Sequence, residues 1–245
     1  MSRKLLKLRY DGTDYHGWQV QNNAITVQET LQNAMEKLYG QRPDVCGCSR
    51  TDSGVHAEMF CCHFDEPAEI PNENVILGLN RYLPNDVAVY ECIDVSDDFH
   101  ARYSCVKKTY IYRFMISPYR NPFNYKYAYN YKREIDIEKA KDFCEEIIGT
   151  YDFSAFSSID RTTDDTVRTI YSASVKREGE IVEFTITGNG FLYNMVRILA
   201  GTLISVSEGR ISVNEIKKII DSKDRTLAGA TAPACGLTLA RVDYI

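Results

Sequence analysis

The sequence predicts an α+β fold built from two ferredoxin-like units, each running β-α-β-β-α-β. Three observations predict it. One order of strand-like alternation and helix-like apolar spacing runs twice along the 245 residues. Two capping boxes, Thr26-Val27-Gln28-Glu29 and Ser212-Val213-Asn214-Glu215, mark helix starts. An apolar content of 44% beside 26% charge is that of a globular chain, long enough for one large domain or two of about 120 residues.

In the first half, Leu5 to Tyr10 alternates as a strand. The box at Thr26 opens a helix whose Val27, Leu31, Ala34, Met35 and Leu38 share one face. Two strands follow at Val45–Cys48 and Met59–Phe64, then a helix across Glu73–Leu79 and a strand across Val87–Val95. The second half opens on Tyr110-Ile111-Tyr112-Arg113-Phe114, a strand whose even positions are all aromatic. A helix from Asp136 presents Ile137, Ala140, Phe143 and Ile147. Strands at Thr169–Lys176 and Ile181–Thr187, a long helix Phe191–Val206 and a closing strand Leu237–Val242 complete the second unit. The helix Ser212–Asp221 is additional. The boundary falls near residue 105 without a flexible linker, giving halves 1–104 and 105–245.

The basic start Met1-Ser2-Arg3-Lys4 leads straight into a strand pattern, which argues against a secretory signal. The longest apolar stretch, Phe191 to Val206, contains Asn194 and Arg197 and is too short to span a bilayer. The expectation is a cytoplasmic protein with no membrane partner. Of the eight cysteines none forms a C-x-x-C. A zinc site from Cys46, Cys48, Cys61, Cys62 and His63 is conceivable, but alternation points Cys61 and Cys62 to opposite faces, and structural zinc ligands come from tighter knuckles. The better reading is no metal, with reduced thiols acting as small hydrophobes.

The net charge of −5 speaks against nucleic acid, but its distribution speaks for it. From Phe99 to Arg133 there is no Asp or Glu, while Arg102, Lys107, Lys108, Arg113, Arg120, Lys126, Lys132 and Arg133 interleave with eight tyrosines. Cations neutralise phosphates and rings stack on splayed bases, so the window suits RNA. An aromatic strand pair with solvated lysines reads the same window equally well. Screening confines each field to about 8–10 Å, so local charge outweighs net charge.

The run Gly47-Cys48-Ser49-Arg50-Thr51-Asp52-Ser53-Gly54-Val55-His56-Ala57 carries the chemistry. Ser and Gly favour a tight turn, which would hold Asp52 on a rigid loop between two strands. Arg50 nearby would keep the carboxylate ionised, fit to act as nucleophile or general base. An Asx-turn Asp that orders only its own loop is the alternative. Arg197, inside Met195-Val196-Arg197-Ile198-Leu199, is anomalous because a buried guanidinium needs a partner, unless it snorkels to the surface.

This loop resembles the catalytic loop, usually G-R-T-D-A-G-V-H, of the bacterial tRNA pseudouridine synthases of the TruA family. The resemblance extends in order through Tyr10-Asp11-Gly12 to Tyr15-His16-Gly17-Trp18-Gln19, then Asp98-Phe99-His100-Ala101-Arg102, Tyr110-Ile111-Tyr112, Phe191 to Arg197, Arg225-Thr226-Leu227-Ala228 and Val242-Asp243-Tyr244. Ser49 and Ser53 depart from the usual Gly and Ala, and neither removes a functional group. The resemblance implies one extended, mainly antiparallel sheet with helices on one face and a central cleft. It implies isomerisation of uridine to pseudouridine at positions 38, 39 and 40 of the anticodon arm of tRNA, by a homodimer and without a cofactor.

By the same resemblance, Asp52 is the catalytic carboxylate at the ribose, Tyr110 stacks on the target uracil and Arg197 pairs with Asp52. Arg50 fills the space of a flipped nucleotide or meets its phosphate. Apart from the resemblance, Trp18 and Gln19 lie on a Gly-containing loop that could touch RNA, although a lone Trp is more often core; Lys107 and Lys108 of the acid-free window are candidates for phosphate contact, and His56 for ordering its loop or meeting RNA. Tyr112, one pleat from Tyr110, reads as core. Two other classes compete: a non-catalytic RNA-binding module, which would have no need of Asp52, Tyr110 and Arg197 together, and a metal- or nucleotide-dependent enzyme, for which no Gly-rich phosphate loop exists.

Overall fold

The computed structural model describes residues 2–158 and 165–244. Its fold class is α+β and its strands are mainly antiparallel, as the sequence predicts. Two compact units divide the chain: Met1–Val106 with Leu239–Ile245, and Lys107–Thr238.

The first unit contains β1 (Arg3–Tyr10), α1 (Val27–Tyr39), β2 (Cys46–Gly47), β3 (His56–Asp65), α2 (Asn72–Tyr82) and β4 (Val87–Val95). β1 lies between β4 and β3, and β2 pairs with the outer side of β3, so β3 splits the first β-α-β unit. Thr26 caps α1 by accepting from Glu29 N, and Gly40 ends it at φ 73°, where its N–H reaches Glu36 O. α2 runs longer than the apolar pattern indicates and stops at Tyr82, because Pro84 disfavours helical backbone at Leu83, which is extended at ψ 147°. Gly78 lets α2 close on Leu38 of α1. Leu6, Leu8, Trp18, Leu31, Phe60 and Phe64 form the core.

The second unit is built on β5 (Cys105–Ile116), β6 (Tyr129–Tyr131), α3 (Ile137–Ile147), β7 (Gly149–Asp152), β8 (Val167–Glu178), β9 (Ile181–Gly188), α4 (Met195–Ser207), α5 (Ile216–Ser222) and β10 (Leu237–Tyr244), of which residues from Leu239 on belong to the first unit. β9 lies between β5 and β8, repeating the split plan of the first unit. Two short strands go unread in the sequence: β6, parallel on β5, and β7, antiparallel on β8. Tyr112, Phe114, Phe143, Phe153, Phe156 and Phe184 fill the core.

α4 begins at Met195, four residues after the apolar stretch begins. Asn194 stands before it in the left-handed region at φ 60°, and Leu192 to Met195 form a turn closed by Met195 N donating to Leu192 O. The capping box at Ser212 is present as expected, but its first turn is a 3-10 turn before α5.

Candidate active site

β1 and β3 are antiparallel, with Tyr10 opposite Ala57, so the segment leaving β1 lies beside the loop entering β3. That loop carries Asp52, half-buried, and the links along it are unusually dense. Tyr10 OH and Thr51 Oγ1 are 2.8 Å apart. Trp18 N donates to Thr51 O at 3.1 Å, Gly54 N to Tyr15 O at 3.2 Å and Ser53 Oγ to Tyr15 O at 3.3 Å. Val55 N closes the turn on Asp52 O at 3.2 Å, and Gly12 N donates to His56 Nδ1 at 3.1 Å. Asp11 Oδ1 lies 3.2 Å from the same imidazole nitrogen. The Asp52 backbone is therefore fixed from both sides, which suits a group that must act at one atom.

In the second unit, Tyr110 faces inward on β5 at 6% exposure and meets Phe191 edge-on at 5.2 Å between ring centroids. Tyr112, one pleat along, is core: it is fully buried and its hydroxyl donates to Pro233 O. Arg197 on α4 is half-buried. Its Nε donates to Ala232 O and its Nη1 to Asn194 Oδ1, both at 2.8 Å. Asn194 Nδ2 in turn donates to Ser158 Oγ at 2.9 Å. The left-handed residue at the helix start therefore turns its side chain to the guanidinium rather than to the helix's own N–H groups. Gly201 and Gly229 allow the strap 228–232 to cross α4 at backbone contact, which places Ala232 beside Arg197. Asn194 and Ala232 went unread as site residues; an Asn at the opening of an apolar helix was the available signal for the first, and nothing local marks the second.

Other candidates separate by exposure. Arg50, Gln19 and Lys107 are exposed, while Lys108 lies on the buried side of β5. Trp18 and His56 are both buried. Trp18 is 1% exposed, stacked on Phe60 at 4.0 Å and pressed against Gly47, so its indole cannot reach RNA; its backbone N–H holds the Asp52 loop instead. His56, 3% exposed, likewise orders its loop through Gly12 and does not present its ring to RNA.

The conceivable zinc set does not assemble. Of its members Cys46 and His63 come together, joined by His100, with one ligand atom from each within 4.8 Å of the others. Nδ1 of His63 accepts from Ala101 N, and Nδ1 of His100 accepts from Arg102 N and Tyr103 N. An imidazole that ligates metal through Nε2 donates a proton from Nδ1, so this bonding opposes metal. His100 Nε2, 3.5 Å from Cys46 Sγ, is then a proton carrier in the neutral ring. All eight cysteines are free thiols, and burial raises the pKa of Cys61 to about 12 and of Cys92 to about 11, in keeping with thiols used as hydrophobes.

The acid-free window also sorts. Tyr110, Tyr112 and Tyr131 are buried, Arg113 pairs with Glu183 and Arg133 with Glu208. The connection between β5 and β6 instead holds Tyr119 and Phe123 80% and 88% exposed, with Arg120 and Tyr125 also in solvent. It is an ordered turn: Asn121 accepts from Phe123 N, Asn124 N and Tyr125 N, and Asn130 donates to Ser117 O.

No helix among the described residues is long and apolar enough to cross a membrane. The family profile described as tRNA pseudouridine synthase matches residues 8–104 and 143–245. The chain is 46% identical over 239 residues to tRNA pseudouridine synthase A of Clostridium kluyveri, covering 98% of each chain. It is 42% identical to that of Thermoanaerobacter sp. across the whole of both chains, and 44% identical to that of Acetivibrio thermocellus over 98% of each. A solved Cbf5-Nop10-Gar1 complex overlays 96% of this chain and 57% of its own at 10% identity and a TM-score of 0.36, too loose to bear on the fold. Matches of this identity along the full length, together with a profile spanning both units, place the chain in the tRNA pseudouridine synthase family, whose members are isomerases.

Proposed function

We propose that this protein isomerises uridine to pseudouridine at positions 38, 39 and 40 in the anticodon stem-loop of tRNA, with Asp52 as the anionic group at the ribose and no cofactor. The reaction breaks the N1–C1′ bond, turns the uracil and joins C5 to C1′; the C5 proton leaves and N1 gains one, so it is redox-neutral. Asp52 attacks C1′ or takes a sugar proton, Tyr110 holds the detached base against its ring, and Arg197 keeps the carboxylate ionised. Arg50, Gln19 and Lys107 contact the RNA, with the turn carrying Tyr119, Arg120, Phe123 and Tyr125. The protein works in the cytoplasm as a homodimer.

The observation that carries this reading is the hydrogen bonding that brackets Asp52 at residues 51, 53, 54 and 55. A loop that ordered only itself would not require such fixing from a second segment. The test is Asp52→Asn with tRNA lacking modifications, in EDTA, with the modified positions mapped. Isomerisation should fall by several orders of magnitude while tRNA affinity stays within a few fold, because phosphate contacts elsewhere dominate binding. Turnover above about one per cent of wild type would remove Asp52 from this role. Wild-type protein that binds tRNA yet forms no pseudouridine would favour the RNA-binding module.

A further inference from the structure

We propose that residues 11–18 are the positioning element of the Asp52 loop, with Gly12 and Gly17 as positioning residues. The inference rests on reading Asp52 as the group at the ribose. A Cβ on Gly12 would stand 2.0 Å from Val55 O and 2.6 Å from Val55 C. On Gly17 it would stand 2.3 Å from Thr51 O, 3.1 Å from Asp52 C and 3.3 Å from Ser53 N. These neighbours are main-chain atoms of Thr51, Asp52, Ser53 and Val55, so they cannot rotate aside as a side chain does. The absence of two side chains is what lets one backbone lie directly on the other.

The hydrogen bonds agree with the close approach. Gly12 N, Tyr15 O and Trp18 N, all main-chain atoms of the segment, bind His56, Gly54 and Thr51. The carboxylate thus inherits its place from backbone geometry on both flanks. Ordinary contact begins near 3.4 Å, so an added methyl group at residue 17 forces the loop back by about an ångström. A displacement of about that size costs a reaction about 10²-fold when the displaced group must meet one atom.

Gly40 supplies the control. Like Gly17 at φ +82°, it is left-handed at φ +73°, but a Cβ there would meet nothing within 4 Å. Gly40→Ala therefore imposes backbone strain without displacing the loop. Full-length Gly12→Ala, Gly17→Ala and Gly40→Ala are compared by single-turnover rate, tRNA affinity and melting temperature, beside Asp52→Asn. The expected result is a rate about 10²-fold lower for Gly12→Ala and Gly17→Ala, with tRNA affinity within about threefold. Gly40→Ala should melt lower and react at the wild-type rate. Should either clamp variant fail to fold, Tyr10→Phe removes the Thr51 link without a clash and should lower the rate severalfold at unchanged affinity. Folded Gly17→Ala at wild-type rate, or a Gly40→Ala rate loss equal to that of Gly17→Ala, overturns the positioning role while an inactive Asp52→Asn leaves the catalytic reading standing. An active Asp52→Asn overturns both.

Discussion

Arg197 holds its place by two bonds of different direction, Nε to a main-chain carbonyl and Nη1 to the Asn194 side chain. A lysine ammonium is a single point and cannot span Ala232 O and Asn194 Oδ1 in that geometry. Arg197→Lys should therefore lower turnover about 10-fold or more, in line with about 1.5–3 kcal/mol for a hydrogen bond to a charged group. Arg197→Met, which deletes the charge, should cost about 10²–10³ in turnover with a smaller shift of the urea midpoint. A Lys variant with wild-type turnover would show that the fork is dispensable. The settings of Asp52 and Arg197 were legible from residue type, a Ser-Gly turn closed by Val55 N on Asp52 O and a half-buried cation on an apolar helix, whereas the roles proposed for them come from the family resemblance. Trp18 read both as a loop residue and as core, and Gly47 decides it by opening a slot that takes the ring into the core. For His56 the sequence left loop order and RNA contact both open, because its burial depends on Asp11 and Gly12, more than forty residues earlier in the chain.

Strands and helices with strong periodicity were read to within a few residues, since α1 and α3 each have a polar cap and an apolar face. β6 and β7 escaped because three or four residues carry no period, and their pairing partners decide their state. β3 departs from alternation: Phe60 through Phe64 are all buried, so both faces of the strand are covered there. One consequence concerns His63. Burial first, then the nearby Arg3 charge and the neighbouring His100, lower its pKa from 6.5 to about 4, while Asp65 pulls weakly the other way. The unfolded chain then binds more protons between those values, so the contribution is complete above about pH 6.5 and is lost as pH falls through about 4. The urea midpoint should decline across that window. His63→Asn, whose Oδ1 stands where Nδ1 accepts from Ala101 N, should flatten the decline; an unchanged profile would assign the acid sensitivity to other groups.

The whole chain is acidic, yet its charge is arranged so that a long stretch carries none of the acid. Binding to tRNA should weaken with salt, with a log–log slope of about −0.7 per single-stranded phosphate neutralised. Lys107→Ala or Arg120→Ala should each flatten the slope by about that amount, whereas Phe123→Ala should weaken binding by about 1–3 kcal/mol without altering it, as lost stacking does. A wild-type slope near zero would sink the assignment of this stretch to RNA. The two-unit plan was legible because each unit repeats the same order of elements. The return of the last strand was less so, since Leu237–Val242 read only as a closing strand of the second half, whereas residues 239–244 belong to the first unit. Their placement in the first unit sets an order in time. Tyr244 donates to Ala101 O at 2.8 Å, a partner 143 positions earlier. During synthesis the first unit must wait for the entire second unit to be made before its final strand arrives. Its late step is therefore closure by a distant segment, slow for the entropy of bringing such separated residues together.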